Sequence, residues 1–265
     1  MDLTSLDRVR AAHDRTELSL GPRSAPLAGG TWLFSEPQPD LEELVDLTTL
    51  GWPDVEVTPA GLSVAATCTI RALVDLPPVA GWASQHLVER CARSLAASEK
   101  IWDWATVGGN ICLALPAGAL TSLAVALDAT AVVWTPDGGE RRVPVSDLVT
   151  GVRTTALEPG EVLRSLEIGA AVLAEPAAFR RTALTQHGRS GAIVIGRRSA
   201  GGLVVTLTAG VTHPHRLAFA DAPGADELRA AIEQVDDWYD DPHGAPDWRR
   251  AMTLRLAEQV REELA

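Results

Sequence analysis

The chain has 265 residues, a formal net charge of −12 and a sequence pI of about 4.9. This length is enough to bury a sizeable core in one large or two modest domains. The acidic balance argues against a nucleic-acid partner, because binding to a phosphate backbone requires a basic face that releases counterions.

The apolar stretches are too short for a membrane-spanning protein. No run approaches the roughly 20 apolar residues that a transmembrane helix needs. Asp128 interrupts the longest candidate, around 120–134. The N-terminus lacks the basic flank and apolar core of a secretory signal. We therefore expect no membrane span and a cytoplasmic location.

The three cysteines, Cys68, Cys91 and Cys112, are widely separated. Their number fits neither a disulfide framework nor the four-cysteine set of an iron–sulfur cluster. Any such cluster that works with this chain is expected on another polypeptide. Cys112 follows a glycine-rich turn, and we interpret it as a small buried apolar residue without a chemical role.

The first part of the chain predicts short elements. Apolar residues spaced by three predict a helix over 5–13. Apolar or alternating stretches predict four strands, the last two forming a hairpin: 26–28, 44–47, 55–57 and 62–65.

The middle of the chain mixes helices and strands. Helical spacing predicts three helices, of which the second has Ser84 as its N-cap: 69–76, 84–97 and 117–126. Stretches separated by Pro-Gly-containing turns predict three strands: 131–134, 141–143 and 162–168. This pattern is typical of an α+β fold.

The last part predicts a smaller second unit after a connection at 169–176. Its hairpin consists of strands at 192–195 and 203–208, joined by 197–202. Helices at 225–235 and 247–264 follow, separated by the acidic loop 236–242, which we expect to be solvated. We expect a larger domain over 1–172, in two subdomains of about 1–50 and 51–172, and an α+β domain with an antiparallel sheet over 173–265.

Two glycine-rich turns each lie between an apolar stretch and an expected helix. The first is Ala28-Gly29-Gly30-Thr31, and the second is Ala105-Thr106-Val107-Gly108-Gly109-Asn110. Paired glycines let the backbone adopt positive φ and approach a ligand closely, so that successive N–H groups converge on an anionic oxygen. Either turn alone is an ordinary turn, but together they predict the two halves of a pyrophosphate site.

With their flanks, the two turns resemble those of a known family. Residues 27–33 read Leu-Ala-Gly-Gly-Thr-Trp-Leu, and residues 101–111 read Ile-Trp-Asp-Trp-Ala-Thr-Val-Gly-Gly-Asn-Ile. They are similar to the AGGT-D/S-L and I-R-N-x-A-T-I-G-G-N-I loops of the FAD-binding medium subunits of molybdenum hydroxylases, the relatives of xanthine dehydrogenase and carbon monoxide dehydrogenase. Further matches follow in the family's order: Leu127-Asp128-Ala129, Arg142-Val143-Pro144-Val145, Leu157-Glu158-Pro159-Gly160-Glu161, Ala209-Gly210-Val211 and Asp247-Trp248-Arg249-Arg250.

The resemblance implies a PCMH-type FAD-binding domain of two subdomains, followed by the smaller α+β domain. Both turns would wrap the FAD pyrophosphate and ribityl chain, with hydrogen bonds from the threonine hydroxyls and the Asn110 amide. A helix N-cap for Thr31 and a left-handed turn for Asn110 are the structural alternatives. The implied cofactor-binding residues are Ala28, Gly29, Gly30, Thr31, Trp32, Leu33, Thr106, Val107, Gly108, Gly109, Asn110, Leu163 and Arg180.

Three departures from the family pattern affect the predicted site. Trp102-Asp103 replaces Arg-Asn, which weakens the local attraction for an anion. Ala119 stands where the family has an aspartate that touches the cofactor. The family's Y-x-K or F-K near the flavin ring appears only as Phe179-Arg180-Arg181, in which we take Arg180 as the stand-in and a surface arginine as the equal alternative.

Other patterns carry no assigned chemistry. His213-Pro214-His215 places two imidazoles two residues apart, but without a third ligand nearby a polar turn is favoured over a metal site. Gly188-Arg189-Ser190-Gly191 lacks the spacing of a nucleophile elbow, and 191–196 does not match a dinucleotide fingerprint. We therefore assign no catalytic residue and no metal ligand.

The resemblance implies an FAD-binding electron-transfer subunit of a multi-subunit molybdenum hydroxylase. Its partners would be a large molybdopterin-binding subunit and a small [2Fe–2S] subunit, and its flavin would reduce NAD⁺, a quinone or O₂. We expect noncovalent FAD, because neither turn contains a histidine or cysteine. The alternatives are an FAD-binding interaction module without turnover and a standalone flavin oxidase.

Overall fold

The computed structural model describes residues 5–200 and 202–265. Its strands are β1 (Arg8–Ala11), β2 (Ser24–Leu27), β3 (Glu43–Asp46), β4 (Val55–Thr58), β5 (Gly61–Ala65), β6 (Thr130–Trp134), β7 (Glu140–Pro144), β8 (Val149–Gly151), β9 (Thr154–Thr155), β10 (Val162–Gly169), β11 (Ala177–Thr182), β12 (Ala192–Arg198), β13 (Leu203–Thr208) and β14 (His215–Phe219). Its α-helices are α1 (Ile70–Val74), α2 (Leu87–Ala92), α3 (Val107–Leu113), α4 (Ala119–Ala126), α5 (Val145–Leu148), α6 (Ala170–Leu173), α7 (Ala225–Glu233) and α8 (Pro246–Leu264).

These strands form three main sheets. The first is parallel and has the order β1-β3-β2. The second is antiparallel with the order β4-β5-β10-β6-β7, and the third is antiparallel with the order β11-β12-β13-β14. A two-stranded pair, β8-β9, is separate. The α+β fold predicted from the sequence is confirmed.

The first sheet replaces the helix predicted over 5–13, which is wrong. The structure has strand β1 there, paired in parallel with β3. Arg8 and Arg10, two positions apart, both reach the buried carboxylate of Glu43, with Nε–Oε1 distances of 2.7 and 3.3 Å. This period of two belongs to a strand, and long-range pairing overrides the weak helical spacing of three apolar residues.

The second sheet and its helices enclose the larger hydrophobic core. Every residue of α4 is buried, as expected of a helix that is apolar on all sides. This helix contacts α2 and α3 on one side and β12 and β13 on the other. The hydroxyls of Ser122 on α4 and Thr208 on β13 lie 2.7 Å apart. Helix α4 therefore joins the core of the second sheet to the third sheet.

The third sheet is covered on both faces. On β12, Ile193 and Ile195 belong to the larger core, whereas Ala192 and Val194 belong to a second core with α7 and α8. Buried Arg249 of α8 donates to the carbonyls of residues that flank this sheet, including Ala209 O at 2.6 Å. Strands buried on both faces explain why this part of the sequence reads as continuous apolar runs.

Several element boundaries differ from the predictions. The helix expected over 84–97 is only α2, because the Ser84 hydroxyl donates to Leu173 O at 3.0 Å instead of capping a helix. Strands β11 and β14 were not predicted, and the expected connection at 169–176 contains α6. No helix follows the first glycine turn, where 31–35 is a turn.

The acidic segment 236–242 is more than a solvated loop. Trp238 forms an antiparallel bridge with Val211, and the Asp237 side chain is only 19% exposed. Across the described ranges, no helix combines the length and apolar character required to cross a bilayer.

Candidate functional site

The two glycine turns meet in the structure. Strand β2 leads directly into the first. The second follows the 3-10 turn Glu99–Asp103, and its residues 107–110 form the start of α3. A Cβ atom on Gly29 would overlap the carbonyl oxygen of Trp104. The backbones of the two segments therefore touch at a point that only glycine permits.

The first turn and its flank, residues 28–33, carry unused hydrogen-bond donors. Gly30 has a φ of +66°, and its carbonyl accepts from Phe34 N at 2.9 Å. Within the described residues, the six successive backbone N–H groups from Ala28 to Leu33 donate to no protein acceptor. These residues are all half-buried. Because these donors have no protein acceptor among the described residues, they are free to bind water or an acceptor on a ligand.

Trp32 and Thr31 of the first turn and its flank also have side chains that are not used in local structure. The Trp32 indole Nε1 is buried and has no hydrogen-bond partner among the described residues. Thr31 caps no helix, because a turn follows it. The N-cap alternative for Thr31 is therefore wrong.

The second turn uses most of its donors inside the protein. Val107 N and Gly108 N each donate at 2.9 Å, to Cys68 O and Ala66 O. Thr106 is the N-cap of α3, and its Oγ1 accepts from Gly109 N at 3.1 Å. The free amides are therefore concentrated in the first turn, whereas the backbone of the second turn is held in place by hydrogen bonds within the protein.

The two glycines of the second turn have different surroundings. A Cβ on Gly108 would lie 2.5 Å from Ala66 Cβ and 2.8 Å from Ala66 O, so Gly108 is required for close packing after β5. A Cβ on Gly109 would meet only the Thr106 hydroxyl, at 2.9 Å, and otherwise open space. Gly109 therefore keeps the exposed side of the turn clear.

Asn110 lies within α3 and does not adopt a left-handed conformation. Its Oδ1 accepts from Leu120 N at 2.9 Å, in the first turn of α4. Helix α4 has no side-chain cap of its own, since Gly118 is its N-cap residue. Ala119, where the family's aspartate is missing, is fully buried. The Asn110 amide thus fixes α3 to α4 and keeps its Nδ2 donors available.

Two arginines from neighbouring elements lie against Trp102 and Asp103. Arg71 Nε lies 3.1 Å from Asp103 Oδ1. The Arg71 and Arg93 guanidinium carbons lie 5.2 and 5.8 Å from the Trp102 ring centre. Hydrogen bonds from Arg93 to Glu89 and Glu99 raise the pKa of this guanidinium. Both arginines are thus already paired with carboxylates, Arg71 with Asp103 and Arg93 with Glu89 and Glu99.

A half-open cavity of about 540 Å³ lies beside Trp102, and residues 28–33 and 105–110 are not among those that line it. Segment 95–99 and Trp102 form one wall, and Arg181, Gln186 and His187 from β11 and the following loop form the other. Its volume is within the range of small-molecule and cofactor sites. Trp102 Nε1 is buried without a partner in the described part of the chain. The cavity is therefore lined by two arginines and one glutamate, Glu99, and the Trp102 side chain in its wall is almost fully buried.

The structure places Arg180 away from this cavity. Strand alternation sends Phe179 to the larger core and Ala178 to the second core. Arg180 lies two positions after Ala178, on the same face of β11, and forms an ion pair with Glu263 of α8. Arg181 lines the cavity, where burial lowers its pKa and its Nε donates to Ser190 Oγ at 2.7 Å. The Y-x-K spacing of the family matches Phe179-x-Arg181, which makes Arg181 a second candidate beside Arg180.

Leu163, the remaining predicted cofactor-binding residue, lies in the hydrophobic core. Leu163 is buried on β10 opposite Val133 and belongs to the larger core. Burial raises the pKa of the Cys68 and Cys112 thiols to about 12, which keeps both protonated and unreactive at neutral pH.

The sequence predicted no third ligand near His213 and His215. This prediction is wrong, because Asp237 contacts both histidines.

Comparisons with known proteins identify the family of the chain. The family model for the FAD binding domain in molybdopterin dehydrogenase matches residues 4–170, more than half of the chain. The carbon monoxide dehydrogenase medium chain of Afipia carboxidovorans strain OM5 is 26% identical over 252 residues, covering 88% of this chain and 86% of that protein.

Solved structures show the same fold over nearly the full length. A cyanide-inactivated Cu,Mo-CO dehydrogenase has a TM-score of 0.82 and 22% identity over 97% of this chain and 96% of its own. Quinoline 2-oxidoreductase from Pseudomonas putida 86 has a TM-score of 0.77 and 21% identity over 97% of each chain. The chain therefore belongs to the family of FAD-binding domains of molybdopterin dehydrogenases, as a flavoprotein subunit of the molybdenum hydroxylase type.

Proposed function

We propose that this chain holds FAD noncovalently between its two glycine turns and serves as the electron-transfer subunit of a carbon monoxide dehydrogenase-like molybdenum hydroxylase. It would receive electrons from [2Fe–2S] clusters on a small subunit, supplied by a molybdopterin-binding large subunit, and deliver them to NAD⁺, a quinone or O₂. The observation that carries this proposal is the row of six unpaired amides from Ala28 to Leu33.

The residues present fit FAD. A pyrophosphate supplies acceptor oxygens for the free N–H groups of the first turn, each of which would cost about 1–3 kcal/mol if buried without a partner. The Thr106 hydroxyl accepts from Gly109 and keeps its own proton to donate. The Asn110 Nδ2 group is a second donor on the same side chain that fixes α4. A dinucleotide thus meets donors from both turns.

The adjoining cavity suits the flavin ring. FAD, when bound, supplies the one- and two-electron chemistry that connects iron–sulfur clusters to soluble acceptors. Trp102 and Arg181 lie on opposite walls of the cavity and would orient the ring. Arg181 adds a positive charge to this cavity, whereas Arg93 is paired with Glu89 and with Glu99, which also lines the cavity. Arg180 is replaced by Arg181 in our assignment, because the Arg180 guanidinium is paired with Glu263.

We also propose the division of the chain into an FAD-binding domain to about residue 172, with subdomains meeting near residue 50, and a smaller domain over 173–265. The three main sheets fall within these three ranges. A cytoplasmic location is in keeping with three free cysteines.

The acceptor can be tested on the FAD-loaded chain. Its flavin would be reduced with one equivalent of dithionite under anaerobic conditions and then mixed with NAD⁺, a quinone or O₂. We expect rapid return of the oxidised flavin spectrum with at least one of the three. Loss of FAD during purification would contradict the binding proposal, and a stable reduced spectrum with all three would favour the interaction module.

A further inference from the structure

Two imidazoles and one carboxylate converge beside the third sheet. His213 lies in the loop after β13, His215 begins β14, and Asp237 lies in the segment between α7 and α8. His213 Nδ1 is 2.9 Å from Asp237 Oδ2, and His215 Nε2 is 2.5 Å from Asp237 Oδ1. All three ligand atoms lie within 4.8 Å of one another. Neither the proposed flavin site nor the family assignment uses this cluster.

The carboxylate is held in place by groups around it. Asp237 Oδ2 accepts from the Thr212 hydroxyl at 2.5 Å, Thr212 N at 3.1 Å and His213 N at 3.3 Å. Hydrogen bonds of this kind orient the carboxylate ligands of metal sites. The two imidazole centres are 4.5 Å apart. Thr212 and the short His-Pro-His spacing thus prearrange both histidines around one carboxylate.

The donor set and its accessibility suit a divalent transition metal ion. Two histidine nitrogens and a carboxylate oxygen are ordinary Zn²⁺ ligands, with bonds of about 2.0–2.2 Å that place tetrahedral ligands roughly 3.3–3.5 Å apart. The present distances are those of N–H···O hydrogen bonds, so a metal would replace the bridging protons after a side-chain shift of about 1 Å. The His213 side chain is 38% exposed and gives access from solvent.

We propose that His213, His215 and Asp237 bind one Zn²⁺ ion, with water completing its coordination. The ion would fasten the segment before α8 to the β13–β14 loop, a structural role in the C-terminal part of the chain. Each imidazole would bind the ion through the nitrogen that now faces Asp237 and carry its proton on the other ring nitrogen.

The test uses the full-length chain without a histidine tag, stripped of metal by a chelator and titrated with Zn²⁺ by calorimetry. We expect one Zn²⁺ per chain. His215→Gln should weaken the binding on the order of 100-fold, and Thr212→Val, which removes only the hydroxyl that orients Asp237, about 10-fold. His13→Gln is the matched control, because His13 is exposed and distant in the sequence.

A second readout keeps the test independent of folding defects in the variants. Co²⁺ added to the wild-type chain should produce a visible absorption spectrum of a tetrahedral site, and one equivalent of Zn²⁺ should abolish it. Wild-type protein that binds no stoichiometric Zn²⁺, or His215→Gln protein with unchanged affinity, would overturn the proposal and leave a hydrogen-bonded cluster. FAD content is not involved in either measurement.

Discussion

Gly29 and Gly109 illustrate two different uses of glycine in the site. Gly29 is needed because the Trp104 carbonyl occupies the space of a side chain, so it brings the turns together. Gly109 has only the Thr106 hydroxyl within reach, so its missing side chain leaves room for a ligand. A substitution at Gly109 therefore separates binding from folding better than one at Gly29.

We expect Gly109→Val to retain the fold and to lose FAD, with occupancy at least about 10-fold lower, because a branched side chain enters the space between the turns. Gly169→Val is the matched control, since a Cβ on Gly169 meets nothing within 4 Å and its φ is −67°. Flavin absorbance per chain measures occupancy, and far-UV circular dichroism checks the fold. Normal occupancy in Gly109→Val would argue against the assignment of this turn.

The adjacent arginines Arg180 and Arg181 provide a second comparison at the residue scale. Arg181→Gln should raise the FAD dissociation constant about 10-fold, equivalent to about 1.4 kcal/mol, because Arg181 lines the cavity. Arg180→Gln removes a partly exposed ion pair with Glu263 and should leave FAD affinity unchanged. Fluorescence titration with FAD distinguishes the two, and the reverse order of effects would restore Arg180 as the ring residue.

At the scale of elements, the small parallel sheet determines where the first turn begins. Glu43 on β3 accepts from Arg8 on β1 and from Ser24 Oγ on β2 at 2.7 Å each. The hydrogen bond from Ser24, with those from the arginines, lowers the pKa of the Glu43 carboxyl. One carboxylate thus connects all three strands, and β2 then delivers Ala28 to the site.

This connection predicts a pH dependence of stability. A carboxyl whose pKa is lowered in the folded state stabilises the protein above its unfolded pKa of about 4.5, and this contribution is lost as the pH falls below that value. Glu43→Gln should therefore reduce the free energy of unfolding by about 1–3 kcal/mol at neutral pH, with a smaller difference from wild type in acid. Glu42→Gln, a neighbour on the exposed side, is the control for urea unfolding. A constant difference across pH would contradict this role.

Local patterns predicted some elements well and failed where long-range contacts decide. The hairpin of β4 and β5 and the long helix α8 follow from alternation and helical spacing. Strand β1 depends on pairing with β3, and the start of α2 depends on the contact between Ser84 and Leu173. The glycine motifs predicted both turns. They did not predict that the first turn holds the free amides, whereas amides of the second turn donate to the carbonyls of Ala66 and Cys68.

At the scale of the whole molecule, the site joins parts that are distant in the sequence. The first turn extends from the parallel sheet, the second precedes α3, and the far wall of the cavity comes from β11 and its loop. Helix α4 lies between the second and third sheets and links their cores. A ligand that contacts all of these segments stabilises the chain as a unit.

FAD should therefore raise the melting temperature of the whole chain in one transition. At a free FAD concentration of 100 times its dissociation constant, the stabilisation is about 2.7 kcal/mol, or roughly 5–10 °C for a chain of this size. Riboflavin is the control, because it carries the ring without the pyrophosphate and should give little shift. Equal shifts with both ligands would place the binding energy in the cavity instead of the turns.

Hydrogen exchange with and without FAD tests the central claim most directly, because it reports on individual backbone amides. FAD should strongly slow exchange in residues 28–33, whose N–H groups have no protein acceptor in the structure. It should change residues 107–109 little, because those amides are already bonded to Cys68, Ala66 and Thr106. Unchanged exchange in residues 28–33 on saturation with FAD would contradict the assignment of the first turn as the pyrophosphate site.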